Sequence, residues 1–149
     1  MEFEVTPEEQ EIVESVSAVL ASECPTALVR DVVENGSAPE QPWKSARELG
    51  WPAIELPEAL GGAELGFTAL GLVVEQHGRR IAPGPFLATA TQFLPLVCEA
   101  GAAESLERFA RPAGAGELRG ALAVDHRRAP RLDVGDALRA RPAGAAWVL

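Results

Sequence analysis

Metal-binding and redox motifs are missing from this 149-residue chain. It has two cysteines, Cys24 and Cys98, far apart and in no Cys-x-x-Cys pair, and two isolated histidines, His77 and His126. Such spacing offers no ligand set for zinc or iron. Both cysteines stand in or beside apolar helical sequence, where a core thiol is the simpler reading and a disulfide between them stays open. Positive charge is scarce early on: residues 1–64 hold 14 acidic side chains against 3 basic, whereas residues 65–149 hold 8 against 10. An acidic half repels phosphates and the later arginines are scattered, so no nucleic-acid partner is expected; the charge is the kind that solvates a surface. No apolar run approaches the roughly 20 residues of a membrane span. The N-terminus is acidic where a signal peptide is basic, so a cytoplasmic location without a membrane span is expected.

What is present suits a folded domain, with 47% hydrophobic residues and enough length for one sizeable core. The organising stretch runs from Glu48 to Gly62. Gly50 stops a helix and Pro52 forbids its resumption, Ile54 and Leu56 sit between two prolines, and Pro57, Gly61 and Gly62 turn the chain again. A connector this apolar is expected to be a buried crosspiece between two helical pairs, with an ordinary interhelical loop as the alternative.

Six helices are expected around it. Thr6-Pro7-Glu8-Glu9 has the form of a capping box ahead of Ile12, Val13, Val16, Val19 and Leu20 at helical spacing. After Pro25, a second helix offers Leu28, Val29, Val32 and Val33 as its buried stripe and ends at Asn35-Gly36. Trp43, Ala46 and Leu49 mark a third, and Phe67, Leu70, Val73, Val74 and His77 a fourth, in which Gly71 suggests a close helix contact or space for a ligand. His77 alone is more simply a helix-end residue than a catalyst.

Pro83-Gly84-Pro85 leads into a fifth helix, Phe86 to Cys98, apolar nearly all round and therefore expected to be buried on all sides, with a bend at Pro95. Its small residues Ala88, Thr89, Ala90 and Thr91 fit either an elongated cavity or tight helix packing. A sixth helix should span Ala103 to Ala110, with Pro112 to Gly116 a break. Beyond it, Leu118 to Val124 looks like a strand, and Ala137–Arg141 with Ala145–Leu149 like a hairpin around Pro142-Ala143-Gly144. These strands have no sheet to complete, so their domain is expected to be cut short or supplied by a partner.

Several motifs, in order and interval, resemble the N-terminal region of acyl-CoA dehydrogenases: Phe3 to Gln10, Leu49-Gly50-Trp51, Leu56-Pro57-Glu58-Ala59-Leu60-Gly61-Gly62, Ala82 to Thr89, and Gly116-Glu117-Leu118. The resemblance implies a mainly α fold, with a helical domain over 1–117 followed at 118–149 by the first strands of a truncated β domain. It implies a flavin-dependent α,β-dehydrogenation of an acyl-CoA thioester in the complete enzyme, with FAD and thioester lying between this helical domain, a middle β domain and a C-terminal helical domain that supplies the catalytic carboxylate. Pro83, Leu87, Ala88 and Thr91 would then wall the acyl chain. The family's Thr-Glu-Pro-Gly-like flavin turn is replaced here by Asp125 to Pro130, so this chain alone is expected to bind no FAD. None of Glu55, Glu58, Glu75 or Glu99 is a candidate base, each being more simply a surface carboxylate. The partners implied are acyl-CoA and either the remaining domains or a homologous subunit. A non-catalytic subunit of a heteromeric enzyme and a ligand-free helical interaction module are the alternatives.

Overall fold

Thr6 begins the first helix as its sequence suggests. In the computed structural model, which describes residues 5–123 and the strand residues 141–143 and 146–148, its hydroxyl accepts the Glu9 N–H at 3.2 Å while the Glu9 carboxylate accepts the Thr6 N–H at 2.8 Å. Helix α1 (Pro7–Glu23) buries Val16 and Leu20 against Ala69, Leu70 and Val73 of α4 (Gly66–Arg80). Trp43 and Ala46 of α3 (Gln41–Glu48) close the same cluster. Among the described residues no single helix is long and apolar enough to cross a membrane.

Three stripe assignments fail at particular residues. Helix α2 (Thr26–Asn35) buries none of its side chains fully, and Val33 is 78% exposed. It leaves α1 at 60°, and its Leu28, Val29 and Val32 are half-buried. Phe67 and Leu49, expected inside, are 75% and 50% exposed, each lying at the end of its helix where no neighbouring element covers it. Gly71 marks no close contact either, since a Cβ built there meets nothing within 4 Å.

The crosspiece is real between Trp51 and Leu56. After Gly50 enters the left-handed region at φ 73°, Trp51–Ala53 makes a 3₁₀ turn, and Trp51, Ala53, Ile54 and Leu56 are all buried. Trp51 and Ile54 join the cluster of α1, α3 and α4, while Ala53 and Leu56 join a second cluster with Leu94, Ala110 and Ala113. Irregular backbone can be buried only if its polar groups are paired. Residues 63–65 return alongside to pair them: Ala63 N–H donates to Ala53 O at 3.0 Å, Leu65 N–H to Ile54 O at 2.9 Å, and Glu64 N–H to Leu56 O at 3.1 Å.

The last two helices share a device. Helix α5 (Phe86–Ala100) and helix α6 (residues 103–114) each contain a five-residue π-turn, Thr89–Phe93 and Leu106–Ala110, and each meets a proline two residues later, Pro95 and Pro112. A proline ring in a regular helix collides with the carbonyl four residues back; a widened turn moves that carbonyl aside. Pro112 therefore does not break α6, which ends at Gly114 rather than at Ala110. Nor is α5 buried on all sides. Phe86, Thr89, Ala90 and Leu94 face inward, but Leu87 and Leu96 are 53% and 45% exposed.

The strand expected over Leu118 to Val124 is absent among the described residues, which run without regular structure from 119 to 123. The hairpin is displaced. Arg141–Ala143 pairs antiparallel with Ala146–Val148, Arg141 opposite Val148 and Ala143 opposite Ala146, so that residues 144–145 rather than 142–144 join the strands. This register leaves the two-residue connection that hairpins favour. Residues 137–140 lie outside the described residues.

Candidate functional site

Helix α5 divides its small residues between two faces. Thr89 and Ala90 are 0% and 3% exposed, so the inner side is tightly packed at Thr89 and leaves a small cleft beside Ala90. On the outer side Leu87 is exposed, and Pro83, Ala88 and Thr91 are half-buried. The Thr91 hydroxyl donates to the Leu87 carbonyl at 2.7 Å, which satisfies its polar end within the helix. Leu87, Thr91 and Pro95 recur every four residues, the interval that keeps side chains on one side of a helix.

The inner side of the π-turn holds the segment leaving α6. The Gly120 N–H donates to Thr89 Oγ1 and the Thr89 hydroxyl donates to the Gly120 carbonyl, both at 3.1 Å, so one buried threonine satisfies a full peptide edge as a neighbouring strand would. Phe93 lies flat against the same glycine, where any Cβ would overlap its ring. At the other end of this segment the Trp43 indole N–H donates to the Gly116 carbonyl at 3.2 Å. Leaving such a buried group unpaired costs about 1–3 kcal/mol.

His77 fastens the start of α5 to α4 and the crosspiece. Its ring stacks on Phe86 at 4.2 Å and 9° and meets Trp51 edge-on at 5.5 Å and 84°. A carbonyl can only accept, so the 2.9 Å contact between Nδ1 and Val73 O places the ring proton on Nδ1. Burial lowers the His77 pKa, and the backbone bond opposes that shift only in part. The unfolded chain then takes up the proton first, near pH 6.5. Stability from neutral His77 is complete above that pH and is lost as the pH falls through it toward the lower folded-state pKa. The midpoint of thermal unfolding should stay level from pH 8 to about 7 and decline as the pH falls below about 6.5. His77→Phe, compared over the same range by circular dichroism, should flatten this decline; an identical slope in both proteins would exclude His77 as its source. The exposed carboxylates with lowered pKa, Asp31, Glu40 and Glu107, lose their contributions at still lower pH, because polar neighbours hold them ionised: the Ser37 hydroxyl and the Asn35 amide near Asp31, Arg119 at Glu40 and Arg111 at Glu107.

Between the crosspiece and α5 lies a cleft of about 220 Å³, lined by Pro52, Glu55, Leu56 and Pro57 on one side and Ala90, Leu94, Pro95, Cys98 and Glu99 on the other, with Leu70 beneath. Cys24 and Cys98 are both free. Burial pushes both thiols up, and at Cys98 the nearby Glu55 and Glu99 charges push further. Among the described residues no group of histidine, cysteine and acidic side chains could hold a metal. Nor does this cleft fit a flavin dinucleotide, being below the roughly 300–1,000 Å³ of a small-molecule site. Its rim also carries two carboxylates where a pyrophosphate requires cations or backbone amides. The turn at 125–130 lies outside the described residues.

The family profile described as "Acyl-CoA dehydrogenase, N-terminal domain" matches residues 6–117. The chain belongs to the acyl-CoA dehydrogenase family. A curated relative, the acyl-CoA dehydrogenase IpdE2 of Mycobacterium tuberculosis, is 30% identical over 142 residues, covering 93% of this chain and 43% of the relative. The chain thus spans less than half the length of that acyl-CoA dehydrogenase. In fold it is similar to a chain of the ChsE4–ChsE5 complex of Mycobacterium tuberculosis, at a TM-score of 0.79 and 19% identity over 99% of this chain and 39% of that one. The mainly helical architecture of the family's N-terminal domain is therefore the one observed. Sequence reasoning missed Thr89, Gly120 and the pairing of Glu55 with Glu99 across the cleft. A proline within each of two helices was the one available hint of the π-turns.

Proposed function

We propose that this chain supplies the acyl-binding wall of a flavin-dependent acyl-CoA dehydrogenase, with Pro83, Leu87, Ala88 and Thr91 against the acyl chain. The FAD and the carboxylate that takes the α-proton come from outside the described residues. The observation that carries the reading is the division of α5, which buries Phe86, Thr89, Ala90 and Leu94 while Leu87 remains 53% exposed beside two small side chains. An apolar helix face of this kind gains free energy when an apolar guest or another domain covers it. In a full-length protein carrying this domain, Ala88→Trp should shift the acyl-length preference toward shorter chains, with a loss of about tenfold or more in kcat/KM for the longest accepted substrate. A length profile that does not move would remove Ala88 from the pocket.

The fold neighbour is a complex of two proteins, and this favours a second arrangement in which the chain completes its wall against a homologous subunit. Mixed with a purified full-length homologue from its own organism, the chain should co-elute in a defined ratio by size-exclusion chromatography with light scattering. Separate elution would leave only the single-polypeptide arrangement.

A further inference from the structure

We propose that the cleft between the crosspiece and α5 takes the distal end of the acyl chain and selects tails that end without negative charge. This deepens the acyl-wall reading and rests on it for the direction from which the chain arrives. Leu87, Thr91 and Pro95 follow one another at four-residue intervals along α5, and Pro95 also lines the cleft, so the line that carries Leu87 and Thr91 ends at the cleft's lining. The floor is apolar and dry: Leu56, Leu70, Ala90 and Leu94 are between 2% and 4% exposed. At about 220 Å³ the cleft is too small for a whole ligand and large enough for the end of one.

The rim determines what that end can carry. Glu55 and Glu99 stand on opposite sides of the opening with the Cys98 thiol near both. The ion pairs among the described residues join Lys44 to Glu48, Arg79 to Glu75, Arg111 to Glu107 and Arg119 to Glu40, and none reaches either rim carboxylate. A terminal carboxylate entering here surrenders hydration and meets two like charges. A methyl end meets neither penalty, and a terminal ammonium is attracted.

Cys98 reports occupancy directly, since it lines the cleft while Cys24 is 3% exposed and serves as an internal control. Alkylation of the 149-residue chain by iodoacetamide at alkaline pH, followed by peptide mass spectrometry, is measured with three esters of equal length. These are the methyl glucoside esters of octanoic acid, of octanedioic acid as its monoester, and of ω-aminooctanoic acid, whose sugar head is too bulky and polar for the cleft, so that only the far end of each chain can enter. The octanoate and the amino ester should slow Cys98 alkylation and leave Cys24 unchanged. The octanedioic monoester should need about tenfold more for equal protection, equivalent to about 1.4 kcal/mol. Glu55→Gln with Glu99→Gln should close that gap to about twofold, and raised salt should narrow it in the unaltered protein. Protection by none of the three, equal protection by the octanedioic monoester, or a gap indifferent to both salt and the glutamine substitutions would overturn the assignment. No coenzyme A and no further domain enters this measurement. A cleft that fails here leaves the Ala88→Trp result standing, and a failed Ala88→Trp leaves this one standing.

Discussion

Gly62→Ala is expected to destabilise the domain by about 3 kcal/mol or more, although it adds a single methyl group to a half-buried turn. A Cβ at this position would overlap the Leu56 carbonyl group and come within 2.6 Å of the Leu56 Cβ. Backbone atoms cannot rotate aside as a side chain can. The Leu56 carbonyl is moreover engaged, accepting the Glu64 N–H, and Gly62 N–H itself donates to Pro57 O at 3.0 Å. Relief requires residues 63–65 to swing away from the crosspiece, which breaks the three hydrogen bonds to Ala53, Ile54 and Leu56, each worth roughly 0.5–1.5 kcal/mol net. Urea unfolding followed by circular dichroism measures the loss as a lower midpoint at unchanged slope. A midpoint within about 0.5 kcal/mol of the parent protein would mean that the crosspiece is not held as described.

Leu20→Ala should cost about 2–5 kcal/mol, by the lost burial of three carbons together with the void they leave. Leu20 is 0% exposed and sits where α1 meets α4, among Val16, Leu70 and Val73 at 1%, 2% and 0%. These neighbours are helix-borne and packed from behind, so collapse into the void is limited and the upper half of the range is expected. Val33→Ala is the matched control: at 78% exposure on α2 it should change stability by less than about 0.5 kcal/mol. Equal losses at the two sites would contradict the placement of α2 at the edge.

Both contrasts bear on what could be read from the chain before its structure. Local signals were dependable. The capping box at Thr6 and Glu9, the left-handed stop at Gly50 and the helix end at Gly36 are each settled within a few residues, and each is observed. Hydrophobic periodicity was dependable for which side of a helix is apolar, but not for whether anything lies against that side. Val33, Phe67 and Leu49 satisfy the pattern and still face solvent. The prolines misled in a different way. Pro112 looked like a break because a regular helix cannot hold it, and the π-turn that accommodates it follows from no local propensity. At the proposed acyl wall, Pro83 and Leu87 come from likeness to a family, and Ala88 and Thr91 also from the run of small residues on α5. The Thr89–Gly120 bonds and the Glu55–Glu99 rim were not legible at all, because each joins segments far apart in the chain.

The crosspiece has a thermodynamic corollary. Its alternate residues belong to different clusters, Trp51 and Ile54 to one and Ala53 and Leu56 to the other, within a single stretch of six residues. Neither half can melt while the other stays intact, since loosening one pulls the shared backbone out of both. Heat or denaturant should therefore dissolve the domain in one cooperative step, and the amides of residues 53–56 should exchange with solvent only as fast as the whole molecule opens.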